Sequence, residues 1–119
     1  MLIVSFIWGG LLTSKKIFEK TDSEYNIRTR VYQLNKQIMI TLYSTNITKQ
    51  MPHGQHLNYT LASNLPEPFE PITVMLQTNR RDLFTVVINE NGVFTISYVY
   101  SFEVPNYTQI SQQIIYFAK

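Results

Sequence analysis

Hydrophobic and polar residues alternate with a period of two along residues 27–34 and again along residues 37–43. This is the spacing of a β-strand, because successive side chains of a strand point to opposite faces of its sheet. In the second run one face is aliphatic and consists of Ile38, Ile40 and Leu42. Only residues 35–36 separate the two runs, so the pattern predicts two neighbouring strands joined by a turn.

The same pattern predicts five further strands: residues 57–62, 72–77, 83–89, 93–102 and 110–118. Glu90-Asn91-Gly92 separates two of them, and an Asn-Gly pair supplies the positive φ angles of a tight hairpin turn. No segment has a helical period of any length, and no internal repeat is present. The sequence therefore predicts an all-β protein.

Several predicted strands are apolar on both faces. In the last strand Ile114 and Tyr116 lie opposite Ile115 and Phe117. One face can fill the space between two sheets, whereas the other needs a further layer or a neighbouring chain. An oligomer is one explanation. A tightly packed monomeric sandwich is the other, since soluble proteins also expose apolar atoms.

Three of the five prolines lie in residues 64–71, which read NLPEPFEP. Proline cannot donate a hydrogen bond to a sheet ladder, so a central strand is excluded here. Each proline also pushes the preceding residue toward extended geometry. We expect a stiff connection that passes from one sheet to the other across the end of a sandwich, with Leu65 and Phe69 as apolar anchors.

The length of 119 residues predicts a single domain, in which residues 1–24 form a lead-in segment packed on or extending the sandwich. Charged residues make up 15% of the chain, below the roughly 25% of an average soluble protein, which favours a surface covered by neighbouring copies. The net charge of +2 is too small to indicate a nucleic-acid partner. The apolar opening MLIVSFIWGGLL is too short to span a bilayer, so membrane insertion is not expected.

No sequence motif for catalysis is present. The four glycines form no phosphate-binding loop, and the chain has no cysteine and no G-x-S-x-G. Glu67 and Glu70 lie between prolines that aim them outward, whereas a glycosidase acid needs burial to raise its pKa. His53 and His56 could bind a metal where copies meet, although such a pair in a polar loop is more often inert. The sequence predicts a protein that is not an enzyme and has no cofactor.

Leu65-Pro66-x-x-Phe69-x-Pro71 resembles the crossover of small β-sandwich domains in bacteriophage tail and baseplate proteins. The order of the other features is similar over residues 25–118 and consists of Arg30-Val31-Tyr32, the Asn91-Gly92 turn and the ending Tyr116-Phe117-Ala118. Two positions depart from that family. Pro68 stands where the family usually has glycine, and Glu70 stands where it often has arginine.

The resemblance implies an antiparallel β-sandwich of jelly-roll type that assembles as a homotrimer in the virion. There it would act at the tail tip or baseplate, contact other phage tail proteins and bind a bacterial surface polysaccharide without catalysis. Two alternatives remain open. One is a purely structural baseplate or capsid-decoration module, and the other is a small non-phage lectin-like β-sandwich.

Candidate ligand-binding residues occupy two loops between predicted strands. Saccharides bind to aromatic faces that are bordered by groups able to pair with hydroxyls. The candidates of this kind are Asn79, Arg80, Arg81, Asp82, Asn106 and Tyr107. The two arginines also offer planar donor forks for the phosphate or carboxylate groups of anionic cell-wall polymers. Each candidate has a structural alternative as an ordinary turn or loop residue.

Overall fold

The computed structural model describes residues 14–47, 59–81, 83–98 and 108–119, and these contain strands and turns but no helix. The strands are β1 (Lys15–Asp22), β2 (Ile27–Leu34), β3 (Gln37–Ser44), β4 (Tyr59–Ala62), β5 (Ile72–Gln77), β6 (Leu83–Ile88), β7 (Phe94–Tyr98) and β8 (Ile110–Phe117). The all-β prediction is confirmed, and β2 and β5 have the predicted bounds. Over the described ranges, no helix is long and apolar enough to cross a membrane.

The strands form two antiparallel sheets of four strands each. Sheet A has the order β1-β2-β3-β8, and sheet B has the order β4-β7-β6-β5. Residues from both sheets form one buried hydrophobic cluster, an arrangement compatible with a β-sandwich. The predicted alternation is confirmed in the core, where Phe84, Val86 and Ile88 of β6 are all 0% exposed. Burial of each such side chain contributes about 1.5–3 kcal/mol.

All strand pairs are antiparallel, so the connections gather at two opposite ends of the fold. We call one the loop end; its described parts are residues 23–26, 45–47, 78–81 and 108–109. We call the other the crossover end, and it contains residues 35–36, 63–71, 89–93 and 118–119.

Residues 63–71 connect β4 to β5, which are the two edge strands of sheet B. The prediction that this segment passes from one sheet to the other is therefore wrong. Leu65 is buried as predicted, but Phe69 is 67% exposed and does not anchor the segment. The prolines do not carry the chain across to the other sheet. Instead, Pro68 forms an isolated antiparallel bridge with Ala118 at the end of sheet A.

The turn between β6 and β7 has one positive φ angle. Gly92 adopts a φ of +77°, whereas Asn91 does not lie in the positive range, so the expectation of positive angles at both residues is wrong. The Asn89 amide donates to the carbonyl of Val93 at 3.0 Å, and the Gly92 amide donates to the carbonyl of Asn89 at 3.0 Å. The result is a three-residue loop with a left-handed residue at its last position.

Candidate functional site

The turn between β5 and β6 holds two exposed arginines on a fixed backbone. The Oγ1 atom of Thr78 accepts a hydrogen bond from the Arg80 amide at 3.1 Å, and the Thr78 carbonyl accepts one from the Arg81 amide at 3.0 Å. Thr78 itself is buried. Arg81 has a φ of 66°, in the left-handed region. Arg80 and Arg81 are both exposed at the loop end, as the sequence predicts for a polar turn between apolar strands.

The start of β8 braces this turn. The Asn79 amide donates to the Gln109 carbonyl at 3.1 Å, and the Gln109 amide donates to Oδ1 of Asn79 at 2.8 Å. The Nε2 atom of Gln112 donates to the carbonyl of Gln77 at 2.8 Å. The side-chain oxygen of Asn79 is therefore bound within the protein, and Asn79 positions the turn that carries the arginines.

The other predicted site residues lie outside the described residues. These are Asp82, Asn106, Tyr107, His53 and His56. Gln109, which braces the arginine turn, follows Tyr107 by two residues in the sequence. Within the described part of the chain, no group of three or more His, Asp or Glu residues could hold a metal ion.

A second cluster at the loop end lies on the outer face of sheet A, around Arg28 and Tyr43. The guanidinium carbon of Arg28 lies 5.0 Å from the centre of the Tyr43 ring, the geometry of a cation–π contact. Tyr43 is 42% exposed. The two residues open onto a cavity of about 240 Å³. Its lining residues are Thr21, Asn26, Arg28, Tyr43, Ser44 and Thr45.

Arg28 and Tyr43 are not among the site residues predicted from the sequence, although the sequence contains the signal that identifies them. A two-residue turn fixes the register of the strands that it joins. Counting outward from residues 35–36 places Leu34 opposite Gln37 and Arg28 opposite Tyr43, which is the observed register. Both residues also fall on the outer face, because the alternate residues of β2 and β3 are buried.

Arg28 differs from the other arginine on this face of β2. Arg30 donates from Nε to Oε2 of Glu19 at 2.8 Å, and Lys16 also hydrogen-bonds to Glu19. These two cations lower the pKa of Glu19 to about 2, chiefly through the hydrogen bonds that they donate. Among the described residues no carboxylate forms a salt bridge with Arg28. The charge of Arg28 is thus available to a ligand at the cavity.

A polar contact fixes the backbone beneath this cavity and joins the two sheets. Tyr59 of β4 donates from its hydroxyl to Oδ1 of Asp22, while the Tyr25 amide donates to Oδ2 of the same carboxylate at 2.8 Å. The rings of Tyr25 and Tyr59 pack edge to face with centres 4.8 Å apart. The hydrogen bond to Asp22 and burial together raise the pKa of Tyr59 to about 12. The Asp22–Tyr59 contact therefore holds the β1–β2 turn in place.

The crossover end carries apolar surface in addition to the exposed lysines Lys15, Lys36 and Lys119. Pro68 and Ala118 pair in an antiparallel bridge and are both buried, so their neighbours Phe69 and Phe117 face the opposite side of the backbone. Phe69 is 67% exposed, Phe117 is 63% exposed, and Ile115, two residues along β8, is 47% exposed. We call Phe69, Ile115 and Phe117 the crossover patch.

Comparison with known proteins adds no relative: no protein-family profile and no curated protein sequence matches this chain.

Proposed function

We propose that this chain is a non-catalytic attachment domain whose loop end binds an anionic saccharide on a bacterial surface. The observation that carries this proposal is the braced β5–β6 turn, which presents Arg80 and Arg81 to solvent on a backbone tied to β8. Two adjacent guanidinium groups suit the carboxylate or phosphate groups of such a polymer. Because the turn is already ordered, binding requires little further loss of backbone freedom.

The setting of this activity follows from the resemblance to phage tail and baseplate domains. In that setting the protein is a virion component at the tail tip or baseplate, a jelly-roll sandwich that acts as a homotrimer beside other tail proteins. Three copies would join weak single sites into firm attachment, because the second and third contacts are intramolecular. The all-β fold with two four-stranded sheets supports this proposal.

A specific observation also favours a second candidate function, a structural module that only holds its neighbours. The crossover patch exposes three large apolar side chains together at one end of the fold. Contiguous apolar surface of this kind marks protein–protein contacts. A structural module needs this patch and does not need the arginines, so the two functions differ in what the loop end does.

The proposed function is tested by binding of the intact chain to an array of purified bacterial surface polysaccharides. We expect binding to anionic members of the array, and we expect Arg80→Ala with Arg81→Ala to weaken it by about 1.5–3 kcal/mol, the range for hydrogen bonds to charged groups. Alanine has the same Cβ as arginine, so the positive φ of Arg81 strains both residues equally. The free energy of unfolding should therefore change by only about 0.5 kcal/mol.

The matched control is Lys15→Ala with Lys36→Ala, which removes the same charge from two exposed residues at the crossover end. This control should retain wild-type binding. Equal losses in the two double variants would mean that net charge, and not the turn, attracts the polymer. Absence of binding to every anionic polysaccharide on the array would contradict the attachment function and favour the structural module.

A further inference from the structure

We infer that the cavity beside Arg28 and Tyr43 is a second subsite at the loop end, which takes one acidic sugar unit of the polymer. This inference rests on the proposed function and deepens it, because it gives the protein a second binding site for the same polymer. That site holds an acidic sugar unit. The ligand class is a saccharide that carries a carboxylate or phosphate group. The cavity volume of about 240 Å³ is suited to one such unit rather than to a larger ligand.

The lining of the cavity offers each kind of contact that an acidic sugar uses. The half-exposed ring of Tyr43 presents an aromatic surface to sugar C–H groups. The guanidinium of Arg28, 5.0 Å from the centre of that ring, supplies donors for the acidic group. Thr21 and Thr45 are exposed and bring hydroxyl groups to the rim. Aromatic, cationic and neutral polar groups therefore converge on one small volume.

The backbone around the cavity is ordered before any ligand arrives. Asn26 closes the β1–β2 turn in a left-handed conformation, with a φ of 60°. Its Nδ2 atom donates to the carbonyl of Asn46 at 2.9 Å, so the β1–β2 turn is tied to the segment after β3. The Asp22–Tyr59 contact holds the same turn from the side of sheet B. A site with a fixed backbone loses little conformational entropy on binding.

The cavity and the arginine turn lie close enough for one polymer chain to reach both. Gln109 contacts Asn79 of the turn, and the next residue, Ile110, pairs with Ser44 at the cavity. Strands are about 4.8 Å apart within a sheet and sheets about 10 Å apart, so the backbones that carry the two sites are separated by about 10–15 Å. An oligosaccharide of a few units can span this distance, whereas a single sugar cannot.

The test is an NMR titration of the whole chain, with backbone amide shifts as the readout. The three probes are an oligogalacturonate with carboxylates, a phosphorylated maltooligosaccharide with phosphates, and a neutral maltooligosaccharide of equal length. We expect one or both anionic probes to shift the amides of Arg28, Tyr43 and Thr45, and the neutral probe to leave them in place. The anionic probe that binds more tightly identifies the acidic group.

Variants of β2 and β3 separate this site from general charge attraction. Arg28→Gln and Tyr43→Leu should each weaken binding at least five-fold, whereas Arg30→Gln, which removes the same charge two residues away on the same face, should change it less than two-fold. Equal losses in Arg28→Gln and Arg30→Gln would overturn the inference. So would titrations with both anions that leave the amides around Tyr43 unshifted.

The same titration distinguishes failure of the subsite from failure of the proposed function. If Arg28→Gln binds like the wild type while the Arg80/Arg81 double variant does not bind, the subsite is refuted and the arginine turn alone is the site. If Arg28→Gln weakens binding and the double variant does not, the subsite stands and the assignment of the turn is refuted.

Discussion

The two ends of this protein are held together by different kinds of contact. At the crossover end, main-chain groups bond to main-chain groups: the Leu65 amide donates to the Gly92 carbonyl at 3.1 Å, and the Lys119 amide donates to the Glu67 carbonyl at 2.9 Å. At the loop end the corresponding main-chain bond, from the Asn79 amide to the Gln109 carbonyl, is joined by side-chain contacts from Tyr59 to Asp22 and from Gln109 to Asn79. The two ends therefore differ in the partner of a tyrosine hydroxyl, which is the main-chain carbonyl of Pro66 at the crossover end and the carboxylate of Asp22 at the loop end.

The two ends also differ in what they expose. At the crossover end the large apolar side chains of Phe69 and Phe117 are exposed. At the loop end, short polar side chains fix the turns, and longer side chains such as Arg80 and Arg81 extend beyond them. We interpret the loop end as the recognition end and the crossover end as the place of contact with neighbouring subunits.

The largest effect should come from the crossover end, through Gly92→Ala. Gly92 has a φ of +77°, and a Cβ atom added there would lie 2.1 Å from the carbonyl oxygen of Leu65. That oxygen belongs to the backbone of Leu65, whose side chain is buried, and cannot move without disturbing the main-chain bond between the two residues. We expect a loss of about 3–5 kcal/mol in the free energy of unfolding, measured by urea denaturation.

Asn91→Ala is the matched control for this prediction, because Asn91 is exposed in the same turn and only its backbone amide bonds to Asn89. It should change the free energy of unfolding by about 0.5 kcal/mol or less. Equal stability of the two variants would show that the turn can shift away from the crossover. The main-chain hydrogen bonds would then not hold the crossover end rigidly.

At the loop end, Tyr59→Phe should have a smaller effect. It removes the hydroxyl that donates to Asp22 but keeps the ring that packs edge to face on Tyr25. A hydrogen bond to a charged group contributes about 1.5–3 kcal/mol, and we expect a loss in this range at neutral pH, measured by urea denaturation. A loss below about 0.5 kcal/mol would mean that this contact does not hold the two sheets together.

The pH dependence of stability provides a second measurement of the same contact. The pKa of Tyr59 is raised from 10.0 to about 12 in the folded protein, chiefly by its hydrogen bond to Asp22. A raised pKa means that the folded state keeps the proton longer, so this stabilisation is complete below pH 10 and is lost as the pH rises from 10 to 12. The stability difference between wild type and Tyr59→Phe should therefore shrink over this interval.

Tyr116 gives the comparison at the other end. Its pKa is also raised to about 12, but the cause is burial, and its hydroxyl donates to the Pro66 carbonyl. We therefore expect Asp22→Asn to reduce the part of the stability loss at alkaline pH that is due to Tyr59. The part that is due to Tyr116 should remain unchanged. If Asp22→Asn leaves the alkaline stability curve unchanged, the carboxylate is not the cause of the shift at Tyr59.

How far the sequence predicted the fold depended on how regular each strand is. The inner faces of β3 and β6 are apolar at alternate positions, so the residues that share these buried faces were predicted correctly, although Met39 of β3 is buried as well. Strand β1 was missed for two reasons. Its only apolar residues, Ile17 and Phe18, are adjacent, and the pairing register with β2 shifts between Lys16 and Phe18, which breaks the period of two.

The candidate site was predicted in part for a similar reason. Two charged residues between apolar runs indicate an exposed turn, which identified Arg80 and Arg81 without knowledge of the fold. The brace by Gln109 was not predictable from local pattern, because it joins residues 30 apart in the sequence through ordinary polar groups. The direction of Phe69 depended in the same way on the distant bridge between Pro68 and Ala118.

The smallest effect on stability, but a large one on assembly, is expected at the crossover patch. Phe69→Ser with Phe117→Thr removes two side chains that are 67% and 63% exposed, so the free energy of unfolding of the subunit should change by about 0.5 kcal/mol. If neighbouring copies cover this patch in the proposed trimer, the wild type should sediment at three times 14.0 kDa at micromolar concentration and the variant as a monomer.

Met75→Thr is the matched control, because Met75 is 58% exposed on sheet B, outside the patch. Dissociation by Met75→Thr as well would place the contact on another surface, and a wild type that sediments as a monomer would refute the trimer.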